Sequence, residues 1–179
     1  MRITISGPAG SGKTTACNKL SAALKMDAVV FGNIFRELAV EKGMSLIKLG
    51  ELAENDRSID QAIDSRIVQI ARERDRIILE SRLAAYMLKM NGIPAFTIYL
   101  DASPDVRIKR IGLRESETIE EVLKVTAERQ ASEQKRYKMY YNIDVNDTSV
   151  YYLIINTDNI GPDQVLDMIL DALEDNGCL

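Results

Sequence analysis

The 179 residues contain no histidine and only two cysteines. Without histidine there is no Ser-His-Asp or Cys-His catalytic arrangement and no histidine-ligated metal centre. Cys17 and Cys178 are too few for a disulfide framework or a cysteine zinc site, so a reduced, cytoplasmic setting is expected. No apolar run approaches the ~20 residues that span a bilayer. The apolar part of Met1–Ser6 is too short for a secretory signal, so a soluble, untargeted chain is expected. An excess of positive charge is also lacking. Lys and Arg number 23 against 27 Asp and Glu, a net charge of −4. Neither nucleic acid nor membrane is therefore an expected partner. Internal repeats, low-complexity tracts and long linkers are missing too.

The composition is that of a globular protein, 46% apolar and 28% charged. The length suits one domain over 1–179, with one substantial core. Short apolar runs at Arg2–Ser6, Asp27–Phe31, Arg76–Glu80, Ala95–Leu100 and Tyr151–Asn156 read as strands. Between them lie helical patterns at Lys13–Lys25, Asn33–Lys42, Ser45–Asn55, Ser58–Arg74, Leu83–Met90, Ser103–Leu113, Thr118–Tyr141 and Pro162–Glu174. Ser103-Pro104-Asp105 joins a hydroxyl cap, a first-turn proline and an acid at the positive helix end. The helices at 45–55 and 58–74 are modest in apolar content, which suits a satellite layer. Nearly continuous apolar strands alternating with helices predict an α/β fold, a buried parallel sheet covered on both faces.

Gly7-Pro8-Ala9-Gly10-Ser11-Gly12-Lys13-Thr14 matches GxxxxGK[ST] and stands between a predicted strand and a predicted helix. Glycines let backbone N–H groups surround phosphate oxygens, and the following helix aims its positive end at the same anion. Lys13 is expected to reach the transferring phosphate, Thr14 to ligate Mg²⁺ and Thr15 to support the phosphates. Glu80 ends an apolar strand; it is either an acid near that metal, acting through water, or a surface carboxylate.

Arginine is the second signal, because fixed cations stabilise a phosphoryl group in flight. Arg107, Arg110 and Arg114 share a helix face by their i, i+3, i+7 spacing. Arg129 and Arg136 share another, with Glu133 between them. From Arg107 to Lys138 nine basic residues meet six acidic ones, net +3, which leaves −7 for the remainder. A positive segment in a negative chain suits a lid closing on polyphosphate, or else a pair of solvated, ion-paired helices. Arg36 and Arg82 fall just past strand ends, where open α/β sheets bind ligands. Asp60 and Asp64 stand four apart on one helix, to meet a base, the lid or solvent.

These segments together resemble the nucleoside monophosphate kinases, and more narrowly the archaeal type of cytidylate kinase. The resemblance runs from Gly7–Thr15 through Gly32-Asn33-Ile34-Phe35-Arg36 and Glu41-Lys42-Gly43-Met44-Ser45-Leu46. It continues through Asp60 with Asp64, Leu79-Glu80-Ser81-Arg82-Leu83-Ala84 and Tyr99-Leu100-Asp101-Ala102. Glu128-Arg129, Glu133, Arg136-Tyr137, Tyr140, Asn142-Ile143-Asp144 and Ile155-Asn156-Thr157 complete it. The phosphate loop marks only a superfamily; the later segments narrow it.

The resemblance implies a three-layer P-loop fold with a five-stranded parallel core, an acceptor-binding helical insert near 33–73 and a helical lid near 110–135. It implies transfer of the ATP γ-phosphate to CMP, and to dCMP, with Mg²⁺, by a cytoplasmic monomer. By position, Lys13, Arg107, Arg110, Arg129 and Arg136 would surround the phosphates, with Gly7–Thr15 binding ATP. Arg36 and Arg82 would hold the acceptor monophosphate, beside Asp60 and Asp64. Ser81 departs from the glycine that the family more often carries there. An adenylate kinase is the nearest alternative, but Glu80-Ser81-Arg82-Leu83 departs from its Asp-Gly-Phe-Pro-Arg segment. A nucleotide-dependent switch is the other, and it needs a partner-reading surface in place of an acceptor pocket.

Overall fold

The apolar runs pair side by side. In the computed structural model, which describes residues 1–115 and 118–179, β1 (Arg2–Ser6) is the middle strand of a parallel sheet. It is flanked by β3 (Ile77–Glu80) and β4 (Phe96–Asp101), while β2 (Ala28–Val30) and β5 (Leu153–Asn156) form the edges, in the order β2-β3-β1-β4-β5. Ile5 is in register with Glu80 on one side and Ile98 on the other. Ser116 and Glu117, inside the segment expected to be a lid, lie outside the described residues.

Strands this apolar need cover on both faces. On one face α1 (Lys13–Leu24) and α8 (Pro162–Asp175) pack Leu20, Val165, Ile169 and Leu173 against Ile3, Ile5 and Ile98. On the other, α4 (Arg57–Glu73) and α5 (Ala84–Met90) bring Ile67, Ala71, Ala84 and Leu88 to Ile77 and Leu79. A small separate cluster of Ala39, Leu49, Ala53 and Ile59 joins α4 to α2 (Phe31–Glu41) and α3 (Leu46–Asn55). The satellite layer expected of the helices at 45–55 and 58–74 is thus α3 with the start of α4; the rest of α4 belongs to the main core, because Ile67 and Ala71 are buried against the sheet. A fourth cluster, Ile108, Ile111 and Val122, joins α6 (Pro104–Glu115) to α7 (Ile119–Tyr141).

Local capping sets the breaks between the outer helices. Ser45 accepts from the Lys48 amide at 3.2 Å, and Asp56 ends α3 and caps α4 by accepting from Ser58 N. Thr118 and Glu121 form a reciprocal capping box at the start of α7.

Most boundaries shift by a residue or two from the sequence reading, and two of the shifts have a clear cause. The second helix begins at Phe31, not Asn33: Phe31 is buried in the core, and Gly32 takes ordinary helical geometry in the first turn. The last strand begins at Leu153, not Tyr151. Tyr151 N bonds to Thr148 O in a turn, and its ring packs inward 4.9 Å from that of Tyr99.

All five strands end at one edge, and the chain turns to opposite sides of β1 on leaving β1 and β3. A crevice opens at such a switch point, and the glycine loop lies there. Gly7 has φ +142°, and a Cβ on it would stand 2.0 Å from the Leu100 carbonyl oxygen. Gly12 has φ +95° with open space around it. Gly12→Ala is expected to cost about 1–2 kcal/mol, backbone strain alone. Gly7→Ala must also push β4 away, at about 1–3 kcal/mol more. Urea unfolding checks the order, and a Gly7→Ala protein as stable as Gly12→Ala contradicts it.

Candidate active site

The loop between β1 and α1 curls around the positive end of that helix. Lys13 folds back over it, donating from Nζ to Pro8 O at 2.8 Å. Burial lowers the Lys13 ammonium to about 8; Glu80 opposes the shift and Arg82 adds to it. Thr14 Oγ1 donates to the Glu80 carboxylate at 2.8 Å, linking the first turn of α1 to the end of β3. Hydroxyl and carboxylate are hard oxygen donors, the chemistry of a magnesium site completed by phosphates and water. Among the described residues no group of three or more acids and cysteines stands ready to hold a metal by itself. The Ser81 hydroxyl accepts from Leu83 N at 3.2 Å and so shapes the turn that presents Arg82.

One cleft joins this loop to three other parts of the chain. Lys13, Thr14, Thr15, Ala9, Gly10 and Gly12 line one side. Arg36 of α2, Asp60 and Asp64 of α4, and Glu80 with Arg82 after β3 line another. Arg114 of α6 and Arg129, Glu133 and Arg136 of α7 close the third.

Several of its cations rest on protein oxygens. Arg82 Nε meets Glu133 at 2.6 Å, Arg36 donates to Asn33 Oδ1 at 3.1 Å, and Arg136 donates to Asp60 at 2.5 Å. Arg136 is only 2% exposed, so its pair with Asp60 is a buried one. Burial pushes the Asp60 carboxyl up, and Arg136 opposes that push. Asp64 is pushed up to about 7 by burial, although the Tyr141 hydroxyl donates to it at 2.8 Å.

Arg107 and Arg110 lie behind the loop and do not line the cleft. Arg107 packs against Gly10, where a Cβ would come within 2.7 Å of its carbonyl oxygen. Its side chain donates to Ala102 O at 3.1 Å. Arg110 donates to Thr157 Oγ1 and O at 2.8 and 2.6 Å. Beside them is a second hollow lined by Ser11, Gly12, Thr15, Leu100, Arg110, Thr157 and Ile160. Gly7 and Pro8 face a small recess on the loop's other flank.

Sequence reasoning missed the apolar walls of the cleft: Phe31, Phe35, Ile63, Val125 and Tyr137. The i, i+4 spacing of Phe31 and Phe35 was a usable signal once the helix is seen to start at Phe31. It also missed the contact between the insert and the long helix. Tyr140 donates to Ala53 O at 2.6 Å, Lys135 pairs with Glu54, and Ser132 sits where a Cβ on Gly50 would be 3.2 Å away.

The comparisons with known proteins agree with this geometry. The cytidylate kinase of Methanosphaerula palustris is 50% identical over 159 residues, covering 88% of this chain and 89% of that protein. Those of Halobacterium salinarum and Sulfurisphaera tokodaii are 43% and 41% identical, covering 97% and 94% of this chain and 90% and 93% of theirs. Among solved structures, the shikimate kinase of Aquifex aeolicus superposes with a TM-score of 0.60 at 19% identity, over 99% of this chain and 98% of that one. An uncharacterized protein from Eubacterium ventriosum reaches 0.70 at 17% identity, over 97% and 98%. These two likenesses speak for the fold alone. The model of the cytidylate kinase-like family matches residues 2–159, and the chain belongs to that family.

Proposed function

We propose that this protein transfers the γ-phosphoryl group of ATP to CMP, giving CDP and ADP, with dCMP as a second acceptor. The observation that carries this reading is the single cleft joining the phosphate loop to arginines from an insert and a long helix. Phosphoryl transfer asks a protein mainly for positioning and electrostatic stabilisation, and those are the groups present.

In this reading the amides of Gly7–Thr15 and Lys13 hold the ATP phosphates. The hollow beside Arg110 and Thr157 receives the adenine. Arg36 and Arg82 hold the acceptor phosphate, with Arg82 leaving Glu133 to do so. Arg129 and Arg136 face the phosphoryl group in flight, and Arg107 and Arg110 support the loop from behind. Thr14 and Glu80 would hold Mg²⁺, Glu80 through water; the ion supplies charge neutralisation along the phosphates. The segment 33–73 acts as acceptor-binding insert and 110–135 as lid. No helix among the described residues is long and apolar enough to cross a membrane, and both cysteines are free thiols. A cytoplasmic setting accords with free thiols, and the protein acts as a monomer in this reading.

The deciding experiment is an ADP-coupled assay with ATP, Mg²⁺ and each of CMP, dCMP, UMP and AMP. Turnover highest with CMP is expected; a preference for AMP, or none for any monophosphate, overturns the reading.

Two expectations follow for the site. An Arg129→Ala protein should lose at least about tenfold in kcat, the size of one charge-assisted contact made in the transition state, while its ATP affinity changes little. Arg136→Ala should in addition lower stability by about 3–5 kcal/mol, because Asp60 is left buried without its partner. Steady-state kinetics, calorimetry and urea unfolding separate the two effects.

Lys13 should also make ATP binding depend on pH. Its ammonium titrates at about 8 in the free protein, and bound polyphosphate raises that value. Binding near pH 8 therefore takes up a fraction of a proton, about half. Affinity holds below pH 8 and weakens above it. Calorimetry in buffers of different ionisation enthalpy measures the uptake. Lys13→Arg, which stays charged throughout, should abolish it; uptake that persists in that variant assigns it elsewhere.

A further inference from the structure

Asp60 carries an acceptor that the protein itself leaves unused. It stands in the first turn of α4, is 5% exposed and lines the cleft. Its Oδ1 accepts from Arg136 at 2.5 Å, but its Oδ2 is buried and meets no donor. Buried polar atoms are nearly always partnered, and an exception asks for a ligand or a function.

The neighbouring tyrosine hydroxyls are already committed. The Tyr141 hydroxyl is given to Asp64. The Tyr140 hydroxyl is given to Ala53 O. Arg136 reaches Oδ1 through Nη1 and lies over the Phe35 and Tyr137 rings, 5.5 and 5.8 Å from their centroids, while its Nε is, like Oδ2, buried without a hydrogen-bond partner. Phe31, Phe35 and Ile63 line the same cleft and offer flat apolar walls to an aromatic base.

We infer that Asp60 Oδ2 accepts a hydrogen bond from the 4-amino group of cytosine and so sets the preference for cytosine over uracil at the acceptor site. This rests on CMP being the acceptor. An ionised carboxylate only accepts hydrogen bonds. Cytosine brings it an N–H at C4, whereas uracil brings a carbonyl oxygen and sets two acceptors face to face. A site built to pair an N–H rejects the analogue that lacks it far more strongly than an apolar pocket rejects a change of shape.

Arg136 makes the inference testable with one substitution. In Asp60→Asn the amide has one oxygen, and Arg136, which is donor-only, draws that oxygen to the Oδ1 position. The Nδ2 group then stands where Oδ2 was and offers a donor, matching the 4-oxo group of uracil.

The experiment measures kcat/KM for CMP, UMP and dCMP at saturating ATP and Mg²⁺, in the wild type and in Asp60→Asn, with circular dichroism as the check on folding. The double variant Asp60→Leu/Arg136→Met removes the buried pair whole, and with it both the acceptor for cytosine and the clash with uracil, so the CMP/UMP ratio falls there too. It replaces the single variant should that one fail to fold. The CMP/UMP ratio is the readout, because a general loss of turnover cancels from it.

The expected result is a fall in the CMP/UMP ratio of at least about tenfold, with the CMP/dCMP ratio unchanged. An unchanged CMP/UMP ratio overturns the inference. A change confined to CMP/dCMP also overturns it, by placing Asp60 on the sugar. Wild-type protein that ignores CMP in the same panel would bring down the acceptor reading itself, a result distinct from either.

Discussion

The parallel pairing of β1 with β3 and β4 is the constraint on which the site depends. Because Ile5 is in register with Glu80, the chain leaves β1 for the glycine loop beside the point where β3 delivers its acid. The bond from Thr14 to Glu80 needs that alignment; a shift of one residue along β3 would turn Glu80 to the other face of the sheet. The same pairing brings Leu100 against Gly7, so close that only glycine fits between β1 and β4. Apolar burial of the strands holds the register, and the register sets the loop. Core and chemistry are thus joined by backbone pairing more than by any side-chain contact.

A second principle governs the cations. They rest on oxygens of the protein: Lys13 on Pro8, Arg82 on Glu133, Arg136 on Asp60. Each parked pair limits the repulsion of several positive charges in one cleft. Under the proposed function, binding is then an exchange of partners, and the net gain per contact is smaller than the gross strength of a charge-assisted bond. The cations differ in how freely they exchange. Arg82 and Glu133 are partly exposed, whereas Arg136 and Asp60 are buried. The first pair can part at small cost, and the second is part of the framework.

Much of this was legible in the residues before any coordinates. The glycine-lysine-threonine loop announces itself by spacing, and Arg129 and Arg136, seven apart, do reach the cleft together. The helix start at Ser103-Pro104-Asp105 was readable, and α6 opens at Pro104 with Asp105 in its first turn. What escaped was decided at long range. Phe31 opens a helix because the core needs its ring, which no local propensity reveals. Tyr151 leaves the last strand to pack on Tyr86 and Tyr99, which lie 65 and 52 residues earlier in the chain. Asp60 and Arg136 are 76 residues apart. The spacing of each on its own helix was visible, but nothing in the pattern says that the two helices face one another.

The long helix α7 has a mechanical consequence. Its C-terminal end is clamped: Tyr137 and Tyr141 pack on the main core, Tyr141 bonds to Asp64, and Asn142 turns the chain at φ 55° so that Ile143 is buried. Its middle rests on α3, with Ser132 against Gly50 and Lys135 paired with Glu54, and its first turns pack on the small cluster of Ile108, Ile111 and Val122. A rod fastened along its length works as a ruler. At 1.5 Å per residue, Arg136 stands about 8 Å from Tyr141 and Arg129 about 18 Å. The two arginines therefore stand about 10 Å apart along the cleft, a spacing set by the helix itself. Arg136 is buried and Arg129 half-exposed, so one rigid element carries positive charge from the floor of the cleft outward.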